Sequence, residues 1–340
     1  MQKWILASST VMMVASCAVA QARDRLPAQC RQEIVQLCGR SPHAIRECLR
    51  EKSVAISQSC RTEIRERIGR RGDLDAGSQS AVGATEFAYG TENLQKLDFW
   101  NGSKPNAPLV IFVHGGGWKR GDKRNATGST KVAHYRSAGY AFASINYRLV
   151  PDATVEQQAA DVADAIAYLH GNARTLGVDP KRMVLMGHSA GAHLSALVGS
   201  DPRYLHAAGL DLSVLAGVVP LDGAAYDVPG QLTEGAPFMK DTYVQAFGTD
   251  PERQKALSPY WHAAAPNAPA FLILHVDRAD GARQSAALAD VLRRNGVQVK
   301  LQGFAGKGLK GHAEINRKLG DPAYPATAVV DDWLRQIFRF

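Results

Sequence analysis

The sequence predicts an α/β protein: a mostly parallel β-sheet with helices on both faces, preceded by a small disulfide-stapled helical hairpin. Three observations carry this. From about residue 88 onward, apolar runs of strand length alternate with helical stretches. Upstream, Cys30, Cys38, Cys48 and Cys60 crowd into about thirty residues, while the rest of the chain after them has no cysteine. Between the two regions, "RGDLDAGSQSAVGAT" (Arg71 to Thr85) is polar and rich in Gly and Ser, the composition of a linker. With 340 residues and 45% hydrophobic content, the chain can bury a sizeable core.

In order along the chain, residues 1–20 read as a targeting segment. Lys3 supplies the positive end, "WILASSTVMMVAS" the short apolar core, and "AVA" (Ala18 to Ala20) a small-residue cleavage site. The apolar run is shorter than a membrane span needs. "VASC" (Val14 to Cys17) resembles the lipobox of bacterial lipoproteins, in which Cys17 would be lipidated. Plain export to the periplasm or medium is the favoured expectation, with a membrane-anchored lipoprotein as the alternative.

Residues 21–71 form a separate module. "CRQEIVQLC", "AIRECLREK" and "SVAISQSCRTEIRERI" have helical spacing, and "GRSPHA" (Gly39 to Ala44) is a turn. An even cysteine cluster in an exported chain reads as disulfides. Four cysteines allow three connectivities; a nested pairing, Cys30 with Cys60 and Cys38 with Cys48, would staple an antiparallel hairpin. The spacing, with the Cys48–Leu49 pair, resembles the cysteine-rich repeat of Golgi glycoproteins. The module holds twelve Lys/Arg against six Asp/Glu, most of the chain's formal +8. Two readings follow: a solvated basic surface, or docking to an anionic envelope polymer. Nucleic acid is not an expected partner, because no aromatic residues interleave with these charges.

After the linker, assigned to residues 72–87, the second and larger domain runs from 88 to 340. Expected strands are "LQKLDFW", "APLVIFV", the start of "GYAFASINYRLVP", "RMVLMG", "LAGVVPLDG", "AFLILHVD" and "QVKLQGF". Expected helices are "VEQQAADVADAIAYLH", the stretch after "GHSAG", and "GARQSAALADVLRRNG", ending at Gly296. About fifty residues between "LAGVVPLDG" and "AFLILHVD" lack a sheet pattern and hold Tyr226, Phe238, Tyr243, Phe247 and Trp261. An insertion of that length predicts a lid or substrate wall.

Two motifs carry chemistry. "GHSAG" (Gly187 to Gly191) fits G-x-S-x-G between a buried strand and a helix. A serine on so sharp a turn needs small flanking residues, and the helix N-terminus beyond it offers amides to a developing oxyanion. "HGGGW" (His114 to Trp118) follows its own strand, and its glycines let backbone amides approach a substrate oxygen. A phosphate cradle is the rival reading, but it lacks the Walker pattern, since no Gly-Lys-Ser/Thr follows. His114 is expected to brace the loop.

These motifs, with "NYRLVP" (Asn146 to Pro151), "DVADAIAYL" and "GHSAGAHLSALV", resemble the α/β-hydrolase superfamily. The likeness is to its esterases with an HGGGW-type oxyanion loop, including the hormone-sensitive-lipase-like and kynurenine-formamidase-like groups. It spans roughly residues 88–340. It implies hydrolysis of carboxylic esters or small amides through a Ser-Asp-His triad, without metal or organic cofactor. Ser189 is then the nucleophile. His312, in "GKGLKGHAEIN" after the last strand, is the base; His188 and His275 read as packing or pocket-lining residues. Asp277, directly after the penultimate strand and seven residues before the Gln284–Ser285 pair, is the expected acid, and Asp280 the expected helix N-cap. The amides of Gly116, Gly117 and Ala190 are the expected oxyanion donors. The implied protein is an exported serine esterase on a small-molecule ester. An arylformamidase-like amidase is the runner-up, and a non-catalytic binding protein on the same scaffold is the rival of another class.

Overall fold

The computed structural model describes residues 28–38, 57, 59–60, 83–124, 127–128, 130–264 and 266–338. The expected targeting segment, Cys17, Cys48 and most of the cysteine module therefore lie outside the described residues. The chain divides into two compact units, Met1–Gly72 and Asp73–Phe340.

In the first unit, helix α1 (Ala28–Cys38) forms where the helical spacing predicted it. Cys30 is disulfide-bonded to Cys60, with Cα atoms 5.2 Å apart. This is the outer pair of the nested connectivity. Both cysteines and Ile34 are buried, a small apolar centre beneath the staple.

The second unit is built on one eight-stranded sheet in the order β1-β2-β4-β3-β5-β6-β7-β8. The strands are β1 (Thr85–Ala88), β2 (Lys96–Trp100), β3 (Ala107–Val113), β4 (Ala141–Ile145), β5 (Val178–His188), β6 (Leu215–Leu221), β7 (Ala270–Asp277) and β8 (Gln298–Lys307). β2 runs antiparallel to both β1 and β4, and the remaining pairs are parallel. β1 starts inside the segment expected to be linker. Its short sequence, TEFA, has little apolar signal and is held by pairing with β2.

The β3 strand is buried along its whole length, as a strand covered on both faces must be. Its alternate residues feed two cores. Leu109, Ile111 and Val113 join the cluster beneath α3 (Val155–Gly171), α4 (Ala190–Ser200) and α7 (Ala279–Arg294). Val110 and Phe112 join the cluster beneath α2 (Lys131–Ser137), α8 (Gly308–Lys318) and α9 (Pro325–Phe338). Each fully buried Leu or Phe contributes about 1.5–3 kcal/mol, so the two cores dominate stability. The insertion between β6 and β7 folds into short helices, among them α5 (Val228–Glu234) and α6 (Lys240–Phe247).

Helix α3 starts at a capping box: the Gln157 amide donates to Thr154 Oγ1, and the Thr154 amide to Gln157 Oε1. Helix α7 ends at Arg294, just before Gly296 at φ +79°, as the sequence suggested. Its start differs. Asp280 is not the N-cap, because the helix begins at Ala279, with Arg278 in the cap position. Asp280 sits in the first turn, where its charge suits the helix dipole.

Candidate active site

The parallel strands β3, β5, β6 and β7 deliver the site to their carboxyl ends. β5 runs directly into Ser189, whose φ of 57° and ψ of −119° make the sharp turn into α4. The flanking glycines are required by contact. A Cβ on Gly187 would stand 2.1 Å from the Gly191 carbonyl oxygen, and one on Gly191 would stand 2.2 Å from that of Val113. Neither position can carry a side chain without moving the helix off the sheet.

Ser189 Oγ lies 3.0 Å from His312 Nε2, and His312 Nδ1 lies 2.6 Å from Asp222 Oδ2. The imidazole thus accepts from the serine hydroxyl on one side and donates to a carboxylate on the other. His312 comes from α8, after the last strand, as expected. The carboxylate does not come from the expected residue. Asp277 ends β7 with its side chain exposed to the cavity, and the residue on His312 is Asp222, directly after β6.

The reason is local geometry. Leu221 and Leu274 are register partners on β6 and β7, and the Asp222 amide donates to the Leu274 carbonyl at 2.7 Å. The chain then turns with Asp222 at φ +43°, which aims its side chain inward. Fully buried, its carboxylate accepts from the Val276 amide (3.0 Å) and Arg278 Nε (3.0 Å) besides His312. Burial alone would push this carboxyl up. The bond from His312 and the Arg278 charge outweigh burial, and the pKa falls below the ordinary aspartate value. Arg278 also donates to the Gly223 carbonyl and pairs with Asp280, which accepts from Gln231 Nε2. Sequence reasoning missed Asp222 and Arg278. The available signal was that "LAGVVPLDG" also presents an aspartate straight after a buried run.

The glycine loop lies opposite. Gly116 and Gly117 have φ of +130° and +62°, and among the described residues their amides donate to no backbone carbonyl. Ala190 is the first residue of α4, where an amide has no partner within the helix. The "NYRLVP" segment braces this loop residue by residue. Asn146 accepts from the Lys123 amide and donates to Asp122, and Tyr147 Oη donates to the His114 carbonyl at 2.9 Å. The Val150 amide and Gln158 Nε2 both donate to the Trp118 carbonyl. His114 is buried, stacks on Tyr147 at 4.4 Å and bonds the Gly115 carbonyl; burial lowers its pKa to about 4. It braces the loop, as expected, and as a neutral ring. Farther out, the buried Lys123–Asp98 pair (2.6 Å) fastens the loop's end to β2.

A cavity of about 360 Å³ opens beside Ser189 and His312. Trp118, Tyr243, Met239, Phe238 and Leu309 give it apolar walls, and Asp277, Arg278 and Asp280 a polar one. The insertion aromatics now separate. Tyr226 and Phe247 are fully buried, Tyr243 is a buried wall residue, and Phe238 is exposed at the cavity. Trp261 is exposed and bonds Asp227.

This architecture recurs in known structures. Esterase B from Lactobacillus rhamnosis aligns over 81% of this chain and 93% of its own, with a TM-score of 0.65 at 22% identity. Esterase 2 from Thermogutta terrifontis, phosphoramylated by tabun in that structure, aligns over 76% and 96% with a TM-score of 0.61 at 24% identity. The fold is the α/β-hydrolase fold. Residues 97–210, which include the glycine loop and the sharp strand-to-helix turn at Ser189 (the elbow), match the BD-FAE family model. Esterase LipC of Mycobacterium tuberculosis is 35% identical over 204 residues, 56% of this chain and 49% of its own. The isoprenylcysteine alpha-carbonyl methylesterase ICME of Arabidopsis thaliana is 34% identical over 112 residues, 32% and 26% respectively. The chain thus spans half or less of the length of these curated relatives.

Proposed function

We propose that the chain is a serine esterase using Ser189, His312 and Asp222. The observation that carries this reading is the unbroken hydrogen-bond line from Ser189 Oγ through His312 to the buried Asp222. Ser189 attacks the ester carbonyl as His312 Nε2 takes its proton. Asp222 holds the Nδ1 proton and stabilises the imidazolium. The amides of Gly116, Gly117 and Ala190 receive the oxyanion; losing one such donor typically costs about 3 kcal/mol in barrier. His312 then protonates the departing alcohol, and water discharges the acyl-enzyme by the reverse proton path. The apolar walls beside Ser189 suit an apolar acyl or aryl group. The esterase names of LipC and ICME support this chemistry, and the targeting segment supports export.

A serine-directed fluorophosphonate probe tests the reading, combined with a p-nitrophenyl ester chain-length series and a formyl-arylamine comparison. Labelling and ester turnover should both vanish in Ser189→Ala. A folded wild-type protein that neither labels nor turns over any ester would overturn it, and dominant formamide cleavage would move it to the amidases.

A further inference from the structure

The sequence offers His188 as a packing or pocket-lining residue beside the nucleophile, yet the structure gives it three contacts around the triad. His188 is 7% exposed. Its Nε2–H donates to the main-chain carbonyl of His312 at 2.9 Å. Its ring lies 4.5 Å from the His312 ring, tilted by 34°. Its other nitrogen abuts the glycine loop: a Cβ on Gly115 would stand 3.1 Å from His188 Nδ1. Two consecutive residues of the elbow therefore hold His312 at both ends, Ser189 at the side chain and His188 at the main chain.

We infer that His188 is a positioning residue, a ring that fixes the spacing between the catalytic imidazole, the elbow and the oxyanion loop. The inference rests on the esterase reading. A backbone carbonyl accepts only, so Nε2 carries the proton and the neutral ring leaves Nδ1 bare. Burial, followed by the nearby His312, pushes the His188 pKa well below the ordinary histidine value, so the ring stays neutral. Neutrality matters because His312 becomes a cation in each proton transfer, and a charged ring beside it would oppose that step. Acyl transfer depends on reacting atoms held in near-attack geometry, and a displacement of about 1 Å can cost roughly 10²-fold in rate.

The test uses the full chain with three substitutions. His188→Leu removes the donor and the ring, His188→Phe keeps a ring without the donor, and His188→Gln places an amide N–H where Nε2 stood. Each is checked for folding by thermal melting, then assayed for kcat and KM on a p-nitrophenyl ester and for the rate of Ser189 phosphonylation. In the folded Leu or Phe variant, kcat and phosphonylation should fall together by roughly 10²-fold with KM within about twofold. His188→Gln should recover most of both. A folded Leu or Phe variant with kcat within about twofold of wild type overturns the role. So does a Gln variant that melts like wild type yet is as slow as Leu. A wild-type protein inert to ester and probe instead sinks the esterase reading itself.

Discussion

Asp222 and His312, ninety positions apart in sequence, share a hydrogen bond of 2.6 Å between Oδ2 and Nδ1. Asp277, the aspartate at the end of the neighbouring strand, shares only the cavity. The pair gives an asymmetric expectation. Asp222→Asn should lower kcat by about 10³–10⁴-fold, since an amide cannot fix the His312 tautomer. Asp277→Asn should leave kcat within a fewfold. Steady-state assay of both variants decides it; the reverse ranking would return the triad acid to β7.

Arg278 holds the Asp222 carboxylate as an ion. The folded pKa of Asp222 lies below its unfolded value of about 3.9, so its contribution to stability is present above that value and is lost as pH falls through the folded pKa. Arg278→Gln raises the folded pKa and should move the acid-unfolding midpoint to higher pH. Tryptophan fluorescence against pH would show the shift, and an unchanged midpoint would mean that other groups hold the charge.

Lys131 is fully buried at the start of α2, over the Phe112 ring, donating to the main-chain oxygens of Thr127 and Asn316. Burial lowers its pKa to about 7. Between there and the unfolded value of about 10.4, the unfolded chain binds more protons. Stability should therefore rise with pH across that window, by up to about 1.4 kcal/mol per pH unit. Chemical denaturation at pH 7, 8 and 9 should show this slope in wild type and its absence in Lys131→Met. Parallel curves would rule out Lys131 as the source.

Phe238 and Leu309 expose large side chains on the cavity, 67% and 59% accessible respectively. Replacing either with Ser should reduce kcat/KM on long acyl esters about tenfold, the worth of roughly 1–2 kcal/mol of apolar contact. Acetate esters should hardly change. A uniform loss across the series would show that these residues shape the fold and not the acyl preference.

Gly191→Ala should abolish turnover and lower the melting temperature, because the added methyl would meet the Val113 carbonyl at 2.2 Å. Overpacking of this kind costs about 1–3 kcal/mol. Retained activity would mean that α4 can shift without disturbing Ser189.

The strands and long helices were legible because each has one period and a buried face. The unbroken apolar run of β3 and the stripe of α3 both survive into the structure. Ser189 and His312 were legible because sharp turns and glycines leave local marks. The acid was not. Strands β6 and β7 end side by side, and an aspartate follows or closes each. Only the positive φ of Asp222 and the reach of Arg278 from the turn after β7 choose between them, and both are properties of the assembled sheet. The brace at His188 was hidden for the same reason, since its partner is a main-chain atom of a residue far along the chain.

Trp118 ends the glycine loop, yet the rings around it belong elsewhere: His193 on α4, and Tyr243 and Phe247 on α6 of the insertion. The segment that shapes the cavity wall is thus also a support for the glycine loop. Evolution or a protein engineer wishing to exchange that wall must exchange Trp118 with it. The transplantable part is the wall together with its tryptophan, and a graft of residues from the insertion alone would trade a new specificity for a loosened glycine loop.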